Sequence, residues 1–524
     1  MKIKFKIVLL ALSFSVIICQ AQGTETKKLA LDTGSGNFNK PNIIIIYTDD
    51  HGYTDMGVQN SSGQDVVTPN VDALALSGLR ATSGYSTAPQ CIPSRAGLLA
   101  GRFQSRFNLE ENPKEEEVGD VDDYLDLIVG PENLLPERLK LKGYATAQFG
   151  KWHLGNKDKI IEHGFDYIFP QNSGASFPAN IDKNGNDLTL GTYNSGEYHI
   201  DACTMAATAM IKRLKDDPFF LYVAYRAPHV PLDPPQEYVD RIPGEMPNLR
   251  RLALAMLLAV DDGVGQIVAT LEEEKLLENT IIFYIGDNGA PLKVHKEDTP
   301  CSKWDGSQND PLNGEKGTLI EGGMRVPFVV SWKGQIPAGQ IYEHPIWTLD
   351  VAATAVKLAG LSEDPSLLDG VDLMPYLSGE NTAEPHEELF WRWGSQSAIR
   401  QGKYKFLKYA DDEYLFNLET DISETNNIIS ENENIRIELY DKLKNWCDEM
   451  PEQGFKTETT TSATKYFNYY LKDMSYPPPV CPRECNNGEL DSDVGEEGVD
   501  CGGPCPNACV QSEKTNKVKN IFNY

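Results

Sequence analysis

The run Asn42-Ile43-Ile44-Ile45-Ile46-Tyr47 constrains the fold more than any other stretch of this chain. Four consecutive isoleucines leave no polar face, so the segment reads as a strand covered on both sides. Similar apolar runs occupy 145–149, 219–225 and 280–285, and helical patterns such as 134–142 and 252–271 separate them. Strands alternating with helices predict an α/β sandwich with a mainly parallel central sheet.

Each apolar run ends in residues that carry chemistry. The first is followed by Thr48-Asp49-Asp50-His51-Gly52 and the second by Gly150-Lys151-Trp152-His153. The third leads into Arg226-Ala227-Pro228-His229, and the fourth into Gly286-Asp287-Asn288-Gly289. Open α/β sheets bind ligands outside the carboxyl ends of their strands. If the strands are parallel neighbours, Asp49, Asp50, Asp287, Asn288, Lys151, His153 and His229 meet at one edge. Taken singly, each has an ordinary reading as a turn residue or a structural histidine. Chemistry at all four strand ends marks a site.

The segment Gln90-Cys91-Ile92-Pro93-Ser94-Arg95-Ala96-Gly97-Leu98-Leu99-Ala100-Gly101-Arg102 adds a reactive side chain. Pro93 suits the first position of a helix, and Arg95 lies within a turn of Cys91. A thiol, a guanidinium and a positive helix end together equip the segment for an oxyanion ester.

This Cys-x-Pro-Ser-Arg pattern, with its Ala-Gly-x-Leu-x-Gly-Arg continuation, resembles the signature of the type I sulfatases, and the resemblance extends over 41–408. It implies an alkaline-phosphatase-like sandwich followed by a smaller antiparallel sheet subdomain. It implies that Cys91 is oxidised by a formylglycine-generating maturation enzyme, and that the aldehyde hydrate is the nucleophile. It assigns one calcium ion to Asp49, Asp50, Asp287 and Asn288, with residue 91, as formylglycine, a further ligand. By the same resemblance Arg95, Lys151 and Lys316 bind around the sulfuryl group. Asp287 is the base for the attacking hydroxyl, His229 protonates the leaving alcohol, and His153 takes the proton whose loss expels sulfate. Arg325, in the Gly-rich run around Lys316, is structural. The overall likeness is to sulfatases of bacteria that degrade marine polysaccharides. It points to a sulfated algal polysaccharide or its oligosaccharides, with ulvan ahead of carrageenan and fucoidan. Competing readings are a glycosaminoglycan sulfatase, a phosphodiester or phosphonate hydrolase of the same superfamily, and a sulfated-glycan-binding protein without activity.

The loop 290–313 is long and polar and joins Asn288 to Lys316. Its Lys293, His295, Lys303 and Trp304 read either as substrate contacts or as a solvated insert. His199 and Asp201 are further pocket candidates. Trp391, Arg392 and Trp393 read as core of the second sheet or as a sugar platform.

At 524 residues the chain exceeds one typical core. The expected division is an export signal over 1–21, a lead-in over 22–39 and a catalytic domain over 40–384. An antiparallel sheet and helix subdomain over 385–475 and a Cys- and Asp-rich tail over 476–524 complete it. Lys2, Lys4 and Lys6 precede an apolar stretch that ends at Cys19, with cleavage after Ala21 and lipidation of Cys19 as the alternative. A periplasmic or secreted location follows. No later segment reads as long and apolar enough to span a bilayer. Cys481, Cys485, Cys501, Cys505 and Cys509 crowd the tail, where disulfides are the default, with zinc or calcium as alternatives. A net charge of -29, from 48 basic and 77 acidic residues, argues against nucleic acid as a partner. An anionic substrate must therefore be drawn by a local basic pocket.

Overall fold

The computed structural model describes residues 40–59, 65–112, 134–292, 306–361, 367–452 and 468–472. The expected leader and the Cys-rich tail lie outside these residues, as do Lys293, His295, Lys303 and Trp304.

Eight strands form the central sheet, in the order Gln340–Tyr342, Leu79–Ala81, Phe328–Ser331, Thr280–Gly286, Asn42–Asp49, Phe219–Pro228, Ala145–Gly150 and Tyr167–Phe169. The strands from Thr280–Gly286 to Tyr167–Phe169 all run parallel. Phe328–Ser331 alone is antiparallel to both of its neighbours. The mainly parallel sheet expected from the apolar runs is what forms.

Asn42–Asp49 is buried along its whole length. Its side chains alternate between two cores, as a strand requires. Ile43, Ile45 and Tyr47 pack on the face covered by the helices Cys91–Ala100 and Leu349–Leu358. Ile44 and Ile46 pack on the face covered by His199–Arg213 and Asn248–Glu273. The result is a three-layer sandwich.

One expectation needs correction. The helix Asn248–Glu273 runs 26 residues and is long and apolar enough to cross a membrane by length and composition. The helical pattern over 252–271 is shorter than the helix that contains it. In the fold this helix is a core element, with 67% of its most apolar window buried.

The second sheet has four antiparallel strands in chain order: Glu388–Trp393, Gln396–Gln401, Tyr404–Tyr409 and Asp412–Asn417. The last of these was not legible in the sequence pattern. Helix Glu433–Glu449 packs on the sheet through Leu439, Leu443 and Trp446. Trp391 and Trp393 belong to this core, and Trp391 Nε1 donates to Ser86 O at 2.9 Å. Arg392 is held by Glu110 at 2.7 Å. The two tryptophans are packing residues and offer no sugar platform. Phe103 and Trp347 of the large domain share the same core, which joins the two sheets into one packed body.

Register builds the site. Thr48 pairs with Gly286, so Asp49-Asp50 and Asp287-Asn288 leave adjacent strands at the same level. Gly150 pairs with Ala224, and Lys151 N donates to Ala224 O at 2.7 Å, which brings Lys151 to the same edge.

Candidate active site

The helix Cys91–Ala100 begins at Cys91 itself, so Pro93 is its third residue and not its first. The ring is tolerated there because first-turn N–H groups lack intrahelical partners. Gly101 ends the helix with a left-handed φ of 65°. Cys91 and Arg95 are one turn apart and project from one face. Both are fully buried.

Cys91 Sγ lies 3.2 Å from Asp49 Oδ1 and 3.3 Å from Lys316 Nζ. Lys316 Nζ also reaches Asp50 Oδ1 at 2.7 Å and Oδ2 at 2.9 Å. Lys151 Nζ donates to Asp49 Oδ2 at 2.5 Å. Arg95 Nη2 donates to Asp287 Oδ2 at 2.8 Å, and its Nη1 donates to Lys151 O at 3.2 Å. Asn288 Nδ2 donates to Asp50 Oδ1 at 2.7 Å. His229 Nε2 is 3.6 Å from Asp50 Oδ2, and its Nδ1 meets Val230 O at 2.7 Å. Asp50 and His153 hold φ of 60° and 59°, a region that L residues seldom occupy. Such backbone persists only where the surroundings fix it.

The electrostatics follow from burial against pairing. Burial pushes the Asp49 carboxyl up, but Lys151, His229, Arg95 and Lys316 overcome it and hold it well below the usual range. Burial likewise opposes ionisation of Asp50, and Lys316 outweighs it. Asp287 is different: burial, then Asp49, pushes it up to about 7, against the pull of Arg95. Burial pulls the Lys316 ammonium down, but Asp50 raises it well above its ordinary value. Burial and the positive charge of Lys151 hold His153 well below an ordinary histidine, although the residue as a whole keeps exposed surface. Burial and Lys151 bring His229 down to about 4. Burial, then Asp49, pushes the Cys91 thiol far up, so it stays protonated at neutral pH.

Asp49, Asp50, Cys91 and Asp287 are buried and place ligand atoms within 4.8 Å of one another. Asn288 Oδ1 is buried without a hydrogen-bond partner. Three carboxylates and an unpartnered amide oxygen are the donor set of a hard cation. The residues present therefore fit a bound metal ion.

The structure thus brings together Asp49, Asp50, Cys91, Arg95, Lys151, His229, Asp287, Asn288 and Lys316. His199 stands apart from these contacts: it is buried at the start of its helix, 3.6 Å from Asp233 Oδ1. Asp201 accepts from Tyr238 OH at 2.7 Å. Arg325 is structural, paired with Glu321 at 3.2 Å. Sequence reasoning missed the aromatic seat of Arg95. Its guanidinium lies 5.4 Å from the Tyr47 ring centre, and Nη1 reaches Tyr222 OH at 3.4 Å. Both tyrosines sit inside apolar strands, where nothing distinguishes them from core.

Comparison with known proteins shows the family. The Sulfatase family model matches residues 41–361, and that of the N-sulphoglucosamine sulphohydrolase C-terminal region matches 315–452. The chain is 33% identical to N-acetylgalactosamine-6-sulfatase of Sus scrofa over 406 residues, covering 70% of this chain and 71% of the relative. It is 30% identical to the uncharacterized sulfatase YdeN of Escherichia coli (strain K12) over 450 residues, covering 73% and 75%. Among solved structures, Ps i-CgsB in complex with k-i-k-neocarrahexaose superposes with a TM-score of 0.69 at 29% identity. That match covers 83% of this chain and 98% of the other. With its alkaline-phosphatase-like sandwich and a cysteine set among buried carboxylates and cations, the chain belongs to the sulfatase family of sulfuric ester hydrolases.

Proposed function

We propose that this enzyme removes sulfate esters from a sulfated algal polysaccharide or its oligosaccharides, using formylglycine formed from Cys91 and one calcium ion. The carrying observation is Cys91 Sγ held 3.2 Å from Asp49 and 3.3 Å from Lys316 at the carboxyl edge of the sheet. A thiol kept protonated by burial is a poor nucleophile, so unconverted Cys91 does not suit the attack on sulfur. Formylglycine supplies, as its hydrate, an oxygen nucleophile and a second hydroxyl through which sulfate is later expelled. Calcium held by Asp49, Asp50, Asp287 and Asn288 supplies positive charge toward the sulfuryl oxygens.

The chain's own residues do the rest. Arg95 holds Asp287 in place as the base that accepts a proton from the attacking hydroxyl. Lys316 and Lys151 offset the negative charge that the sulfuryl group brings into a buried pocket. His229 gives its proton to the leaving alcohol. Burial, then Lys151, keeps it neutral in the free site, so the proton it donates is first taken up from solvent. His153, also held neutral, is suited to receive the proton released with sulfate.

Ulvan is proposed first from the sequence resemblance alone. Carrageenan is supported by the neighbour solved with a neocarrahexaose. A glycosaminoglycan is the second reading, favoured by the relatives named N-acetylgalactosamine-6-sulfatase. Export by the N-terminal leader is proposed from the sequence alone. Sulfate release should be measured on ulvan, carrageenan, fucoidan and glycosaminoglycans, each before and after depolymerisation. Release from an algal polymer or its fragments is expected. Release only from glycosaminoglycan fragments, or only from aryl phosphodiesters, would reject the algal reading.

A further inference from the structure

Lys316 depends on a backbone shape that its own turn fixes only in part. Gly314 and Gly317, on either side of it, take left-handed φ of 86° and 85°. Glycine adopts such angles freely but loses more conformational freedom on folding than other residues. Thr318 closes a local turn, its N and Oγ1 donating to Glu315 O at 3.0 and 2.7 Å, and further bonds reach the loop from outside.

Two of its supports come from the catalytic edge. Lys316 N donates to Ala290 O at 3.2 Å, and Gly317 N donates to Pro89 O at 2.9 Å, two residues before Cys91. Two others come from far along the chain. Gln396 opens a strand of the second sheet and is 1% exposed. Its Oε1 accepts from Leu319 N at 2.8 Å, and its Nε2 donates to Gly317 O at 3.2 Å. One amide thus closes a bracket on the peptide units that follow Lys316. Only one orientation of the amide satisfies both bonds. Tyr470 OH donates to buried Glu315 Oε1 at 3.0 Å, and Tyr470 O accepts from Asn313 Nδ2 at 3.1 Å.

We propose that Gln396 is a positioning residue for Lys316, with Tyr470 as a second support acting through Glu315. The second sheet then serves catalysis by fixing the ammonium beside residue 91, although Gln396 touches no reacting atom. This rests on the reading that Lys316 binds the sulfuryl group. Misplacing a charge-stabilising group by a fraction of an ångström to an ångström is enough to cost a large factor in rate.

The test is a double-mutant cycle in the matured full-length enzyme, with an aryl sulfate as substrate. Gln396→Leu removes both hydrogen bonds at similar volume. It is expected to lower kcat/KM by about 10-fold or more, with formylglycine content by mass unchanged. The decisive readout is the Lys316→Ala background, where Gln396→Leu should cause no further loss. Equal losses in both backgrounds, or an unaltered kcat/KM in the single variant, would overturn the proposal. Should Gln396→Leu lose its cooperative thermal transition, Tyr470→Phe carries the same cycle, because it deletes one hydroxyl. Its loss must also vanish in the Lys316→Ala background, and persistence there counts against the proposal. Lys316→Ala alone tests the underlying reading. If that variant turns over as fast as wild type, the role of Lys316 fails and the positioning role fails with it. A slow Lys316→Ala with independent Gln396 losses rejects positioning alone.

Discussion

Lys316 Nζ spans Asp50 and Cys91: it lies 2.7 Å from Asp50 Oδ1 and 3.3 Å from Cys91 Sγ. One ammonium therefore joins the carboxylate cluster to the position of the proposed nucleophile.

The first prediction follows from that contact. Lys316→Ala should lower kcat/KM for an aryl sulfate by about 10²–10³-fold, the usual cost of removing one group that stabilises developing charge. Lys316→Arg should recover only part, because a planar guanidinium cannot reproduce a compact ammonium between two partners. Steady-state kinetics on matured protein decide it, and undiminished turnover in the alanine variant contradicts the assignment.

A second prediction concerns the metal. Asp49, Asp50 and Asp287 are buried together, and a bound cation should stabilise the fold as well as support turnover. Binding to the folded state alone adds about 2.7 kcal/mol at a ligand concentration of 100 Kd. Chelation is expected to lower Tm and abolish activity, and calcium should restore both. Asn288→Ala should shift the calcium titration to higher concentration. Identical melting curves with and without calcium would refute a calcium site here.

The site was legible where chemistry follows a strand buried on both faces. Ile43–Ile46 cannot be mistaken for an amphipathic element, so Asp49 and Asp50 fall at a known edge, and Asp287 and Asn288 follow from the same logic. Other parts left no trace. Leu79–Ala81 and Phe328–Ser331 are too short to show a period, yet they widen the sheet beyond the parallel strands. Tyr222 and Gln396 owe their roles to contacts across 127 and 79 positions of sequence. Local pattern carries no information at that range. Pro93 was misplaced by two positions because a proline marks the first turn of a helix without fixing which residue starts it.

A third prediction tests the junction between the sheets. Lys405 Nζ is buried 2.8 Å from Glu321 Oε1 and 2.9 Å from Glu424 Oε1. Glu321 also accepts from Tyr85 OH at 2.7 Å and pairs with Arg325. Lys405→Met leaves two buried carboxylates short of a counter-charge and should cost about 3–5 kcal/mol. Urea unfolding should show a lower midpoint. Adding Glu424→Gln to Lys405→Met should return part of the loss, because the remaining charge on Glu321 keeps Arg325. A midpoint unchanged by Lys405→Met would show that the pair contributes nothing net.

The last prediction concerns Cys91 itself. Its thiol is fully buried, bonded toward Asp49 and pushed far up by burial, so thiolate chemistry is closed to it at neutral pH. The surrounding cations would favour an oxygen nucleophile with the same placement, and the Cys-x-Pro-Ser-Arg sequence carries the matching signature. Protein made with a formylglycine-generating enzyme should yield a peptide spanning residue 91 in which the thiol is replaced by an aldehyde that reacts with hydrazides. Turnover should scale with the converted fraction across preparations. Cys91→Ala should lose activity entirely while keeping a cooperative thermal transition, because the side chain contributes little to the core around Ile92 and Ala96. Full activity in a preparation whose Cys91 still alkylates as a thiol after unfolding would overturn the mechanism.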